Sequence, residues 1–171
     1  MNSFFALKKI YNPIQTSTSK IKQLANNSYY LFVGRISSEK GVDIFCNVIT
    51  SLNLKGVVVG SGNLLEKLKK EYPNISFVGW KSQSEVLEYM LKAKALIFPS
   101  KWYETAGLTV LEAHSVNLPC FVFDTTAASE FVTKDYLFHS IPELEEKIKD
   151  FEKKIKQNKK FLFDVKVYDK D

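Results

Sequence analysis

Residues 29–60, "YYLFVGRISSEKGVDIFCNVITSLNLKGVVVG", change their hydrophobic period twice. The opening run YYLFV is apolar, aromatic and β-branched without alternation, the mark of a short strand covered on both faces. From Gly41 to Leu52 the apolar residues fall at helical spacing, and "KGVVVG" then returns to an unbroken apolar run, a second buried strand. Strand, helix and strand in immediate succession make a βαβ unit, whose crossover sets the two strands parallel.

The same alternation runs on from there. "NLLEKLKKEY" (63–72) predicts an amphipathic helix, "ISFVG" (75–79) a strand, "SEVLEYMLKA" (84–93) a helix, "ALIFP" (95–99) a strand, "GLTVLEAHSVN" (107–117) a helix and "CFVFD" (120–124) a strand. A last helix is expected from about Pro142 to Lys156. The prediction is an α/β fold: a doubly wound, Rossmann-like parallel sheet of about six strands with helices on both faces. Residues 1–28, which end in the polar stretch "QTSTSKIKQLANNS", read as a lead-in, and residues 29–171 as a single domain.

Composition narrows the function classes. At 171 residues the chain is long enough for one well-packed core and too short for two ordinary ones. No apolar run approaches the roughly 20 residues of a membrane helix, and "MNSFFALKKI" lacks the apolar core of a secretory signal, so a cytoplasmic protein is expected. Cys46 and Cys120 both lie in apolar segments and read as buried free thiols, while His114 and His139 are too far apart for ligand spacing, so no metal is expected. The net charge of +5 suits an anionic partner: nucleic acid, a phospholipid surface or a phosphorylated small molecule. Nucleic acid drops out for want of basic-aromatic or helix-turn-helix patterns. The lysines of "KIKDFEKKIKQNKK" alternate with acids at helical spacing, which favours a solvated face over peripheral membrane contact.

In a doubly wound sheet ligands sit beyond the carboxyl ends of the strands, and four loops there carry candidate residues. "GRISSEKG" sets Arg35 and Lys40 after Gly34, two cations that suit a diphosphate or else decorate a solvated turn. "VVVGSG" offers Gly60 for close backbone approach, with a plain turn as the alternative. In "FVGWKS", Trp80 either stacks on a base or covers the sheet edge, with Lys81 beside it. In "FPSKWYETAGLTVLEA", a helix starting near Ala106 or Gly107 would aim its first amides at the crevice, with Glu104 over it and Glu112 on the inward face shared with Leu108 and Ser115. A carboxylate so placed needs hydrogen-bond donors, which a sugar diol supplies; alternatively Glu104 is a surface acid and Glu112 a satisfied core acid.

Taken together, "YNPI", "YYLFVGRISSEKGVD", "VVVGSG", "ISFVGW" and "ALIFPSKWYETAGLTVLEA", with two glutamates separated by seven intervening residues, resemble the C-terminal, nucleotide-sugar-binding half of GT-B glycosyltransferases, in particular the large retaining group called family four. The resemblance runs from about Tyr11 to Val132. It implies a UDP- or GDP-linked sugar donor, no cofactor and no metal. Arg35 and Lys40 would hold the diphosphate, Glu104 the transferred sugar and Glu112 the ribose. The amides of Ala106, Gly107 and Leu108 would receive phosphate oxygens, Gly34 and Gly60 would lie close to the donor, and Trp80 and Lys81 would border the base. Family members are about twice this length, so the expectation is a donor-binding half that needs a separate N-terminal acceptor-binding part, or a nucleotide-sugar-binding module without transfer.

Overall fold

A computed structural model describes residues 29–101 and 107–157. Its six strands are β1 (Tyr29–Val33), β2 (Gly56–Val59), β3 (Ile75–Gly79), β4 (Ala93–Phe98), β5 (Cys120–Phe123) and β6 (Leu137–Phe138). They form one sheet in the order β3-β2-β1-β4-β5-β6, and every pairing is parallel. Leu31 is the pivot, in register with Val57 on one side and Leu96 on the other.

Five helices cover the two faces: α1 (Val42–Ser51), α2 (Leu65–Glu71), α3 (Gln83–Lys92), α4 (Leu108–Ser115) and α5 (Ile141–Gln157). Side chains alternate across each strand, so the sheet separates two cores. One gathers Phe32, Val58 and Ile97 with Phe45 and Ile49 of α1, Leu68 of α2 and Ile148 and Phe151 of α5. The other gathers Leu31, Val59 and Leu96 with Val86 and Met90 of α3 and Val110 and Ala113 of α4. This is the doubly wound sheet that the alternation predicts.

The boundaries differ from the sequence expectations in places. The helix over 84–93 ends at Lys92, and Ala93 is already in β4, two residues before the expected strand start. β6 has only two residues, too few to show a period, and went unread. Both cysteines are buried and in no disulfide among the described residues, and burial pushes the Cys46 thiol up to about 12.

A polar clasp holds α5 at the amino end of the sheet. The Tyr30 hydroxyl and the Lys94 ammonium each donate to Glu152 Oε1 at 2.8 Å, and the two charged side chains are only 20% and 15% exposed. Glu152→Ala strands a phenol and an ammonium with little access to water, and is expected to cost about 2 kcal/mol. Urea denaturation measures it, and an unchanged midpoint would show that the clasp is ornamental.

Candidate active site

The strand order reverses between β1 and β4, where the connections leave in opposite directions and a crevice opens at the carboxyl edge. A cavity of about 260 Å³ occupies that place, lined by Phe32 to Arg35 at the end of β1, Lys40, Phe98 and Ser100 at the end of β4, and Thr109 of α4.

The lining residues come from three segments: β1 with the loop after it, the end of β4 with the loop after it, and α4. After β1 the Gly34 amide donates to Val59 O and the Ile36 amide to Ser61 O, fixing the turn on the end of β2. A single 3-10 turn over Ser38–Lys40 then brings Lys40 back over the crevice and hands the chain to α1. Arg35 stands at the rim with its side chain 70% exposed, 3.9 Å from the Glu39 carboxylate. The Glu39 carboxyl sits below its usual range, held there first by the Ser37 side chain and then by a backbone N–H, with Arg35 and Lys40 contributing.

The loop after β4 is laced to this turn. The Lys101 amide donates to Glu39 O at 2.9 Å, and the Lys101 ammonium pairs with Asp43 at 3.2 Å. Beyond it, Gly107 caps α4 in the left-handed region at φ 53°, and a Cβ there would lie 2.7 Å from the Ala128 side chain. Glycine is therefore demanded by packing inside the protein. The first bonds of α4 are donated by Val110 and Leu111 to Gly107 O, so the amides of Leu108 and Thr109 remain available to an acceptor outside the helix.

Gly34, Arg35 and Lys40 meet at one cavity with the start of α4, as the strand-end rule anticipates. Ser100 and Thr109 join them without having been singled out, because hydroxyls in loops are too common to signal a site. Glu104 and Ala106 lie outside the described residues. Gly60, Trp80, Lys81, Gly107, Leu108 and Glu112 do not line this cavity.

Gly60 is pressed against Gly34, with no room for a Cβ beside the Gly34 carbonyl. Trp80 is 73% exposed, so it projects from its loop and does not cover the sheet edge. Lys81 pairs with Glu85 at 3.4 Å. Leu108 is 62% exposed, which corrects the expectation of an inward face through Leu108, Glu112 and Ser115: the buried stripe of α4 passes through Val110 and Ala113. Glu112 lies at its border, half-buried.

The last turn of α4 carries His114, whose Nε2 is buried with no hydrogen-bond partner among the described residues, and burial lowers its pKa from 6.5 to about 4. Folding keeps this imidazole neutral, so the unfolded chain binds a proton that the folded protein refuses. Stability is therefore expected to fall as the pH drops below 6.5 and to go on falling until about 4. Between pH 7 and pH 5 the loss should be about 2 kcal/mol. Urea denaturation at the two values measures it, and His114→Leu should flatten the slope.

Residues 15–162 match the family model described as "Glycosyl transferases group 1". Over 133 residues the chain is 30% identical to the UDP-Gal:alpha-D-GlcNAc-diphosphoundecaprenol alpha-1,3-galactosyltransferase of Escherichia coli, covering 68% of this chain and 33% of that protein. Over 142 residues it is 28% identical to an uncharacterized 41.2 kDa protein of the cps region of Klebsiella pneumoniae, covering 74% and 39%. The chain thus spans between a third and two fifths of the length of these relatives. Among solved structures, the catalytic domain of the Helicobacter pylori cholesterol-alpha-glucosyltransferase superposes with a TM-score of 0.69 at 20% identity, over 76% of this chain and 89% of that one. Anabaena HepE in complex with UDP gives 0.68 at 17%, over 80% and 42%.

Proposed function

Because the chain belongs to the group 1 glycosyl transferases, we propose that it is the C-terminal, donor-binding domain of a retaining, family-four enzyme that moves a hexose from a UDP- or GDP-linked donor to a glycan or a lipid-linked acceptor. The observation that carries this reading is the meeting of Arg35, Lys40 and the first turn of α4 at one cavity on the sheet's carboxyl edge. A nucleoside diphosphate fits such a place: two cations reach the phosphates from the two ends of the one loop after β1, and helix amides of α4 add partial positive charge from a second segment.

The transfer step breaks the bond between the sugar's anomeric carbon and the diphosphate, and negative charge grows on the departing phosphate oxygens. Fixed cations aimed at that charge lower the barrier without a metal ion, by about 3 kcal/mol for a well-placed donor. In this reading Glu112 holds the ribose, Trp80 borders the base and Glu104 positions the transferred sugar. The acceptor is bound by a part of the enzyme outside this domain, as a separate chain or a further segment.

Calorimetric titration with UDP, GDP and ADP tests the proposal. At least one should bind with 1:1 stoichiometry, and silence from all three would sink it.

A further inference from the structure

Resting on the reading of Glu112 as the ribose acid, we infer that Gln83 is its positioning residue, the group that aims the carboxylate and so sets how strongly a ribonucleotide is preferred over a deoxyribonucleotide. The Gln83 amide nitrogen donates to Glu112 Oε1 at 3.0 Å, joining side chains 29 residues apart on adjacent helices.

Gln83 is launched from a fixed point. It is the first residue of α3, and a reciprocal capping box holds that helix start: Glu85 Oε2 accepts from the Ser82 amide at 2.9 Å and from the Ser82 hydroxyl at 2.7 Å. The Lys81 ammonium closes on the same carboxylate at 3.4 Å. The loop bearing the exposed Trp80 is thereby continuous with a capped helix end, and the exposed Gln83 side chain reaches from that end across to α4. On α4, Glu112 stands one turn beyond Thr109, which lines the cavity.

The chemistry of the donor matters as much as its place. A neutral amide engages one carboxylate oxygen and fixes its plane without neutralising the charge, which leaves the second oxygen a full-strength acceptor for a hydroxyl. A lysine or arginine at this position would hold the acid equally well but weaken it as an acceptor. A carboxylate fixed in this way rewards a diol that reaches it, and a sugar lacking one hydroxyl gains less.

The test is calorimetric titration of the chain with UDP, GDP and ADP and with their 2′-deoxy counterparts, applied to the unaltered protein, Gln83→Met, Gln83→Glu and Glu112→Ala. Methionine keeps the length of glutamine and removes the donor, while glutamate sets a like charge against Glu112. The unaltered protein should prefer the ribonucleotide by about tenfold, the worth of one hydrogen bond to a charged group. Gln83→Met should shrink that preference to roughly twofold or threefold by weakening the ribonucleotide chiefly, and Gln83→Glu should shrink it at least as far. A merely structural role would weaken both nucleotides alike and leave their ratio intact. A ratio retained in Gln83→Met but lost in Glu112→Ala would overturn this inference and leave the ribose reading standing. A ratio indifferent to Glu112→Ala, or no binding by any of the six nucleotides, would overturn both.

Discussion

Alanine at both Arg35 and Lys40 is expected to weaken binding of the best nucleoside diphosphate by several hundredfold. Each residue in a charge-assisted contact with phosphate contributes about 1.5–3 kcal/mol, with the exposed Arg35 at the lower end, so the pair should cost about 3–4 kcal/mol. Each single variant should lose tenfold or somewhat more, by the same arithmetic. The fold should survive, because both side chains leave a turn whose backbone bonds to β2 and to Lys101 do not involve them. Titration calorimetry at fixed salt, with a thermal melt as control, measures the effect. A double variant that binds within threefold of the parent would show that the phosphates sit elsewhere. Raising the salt should weaken the parent more than the double variant, since fewer fixed charges then remain to be screened.

Gly60→Ala is expected to be the most damaging single change in the site for stability, at about 4 kcal/mol or more. Gly60 has φ 142°, a backbone state that residues with a side chain rarely adopt, and the new Cβ would overlap the Gly34 carbonyl oxygen. Two main chains meet there, so no flexible side chain can give way. Relief requires the ends of β1 and β2 to separate, which strains the Gly34 amide bond to Val59 O at 3.0 Å and tilts the turn that carries Arg35. Urea denaturation should show the loss, and nucleotide affinity should fall with it. A variant as stable as the parent to within 1 kcal/mol would mean that the two loops are not in contact as described.

The layered fold was legible because strands buried on both faces leave continuous apolar runs between helical periods, as in "YYLFV" and "GVVV". β6 was not, since a pair of residues carries no period. The meeting of Arg35 and Lys40 with the start of α4 was legible for a topological reason: these segments follow strand ends, and parallel strands bring those ends to one edge. The orientation of α4 was harder to read. Leu108, Val110 and Leu111 offer apolar atoms on several sides of an eight-residue helix, so the buried stripe through Val110 and Ala113 is settled by contact with the sheet and not by the pattern. The partnership of Gln83 with Glu112 was beyond the sequence, because both side chains are ordinary on a helix surface and only tertiary packing brings them together. For Trp80 the pattern left two readings open, and its exposure removes the one in which the indole shields the sheet.

The tie between Lys101 N–H and Glu39 O runs from main chain to main chain. It is therefore indifferent to which side chains occupy the two positions, and both are at liberty to vary in evolution while the connection persists. For protein engineering the consequence is that neither segment is a portable cassette. A swap that imports the arginine-lysine turn alone would leave it seated against a foreign neighbour, and the smallest transferable piece is the two segments moved as one.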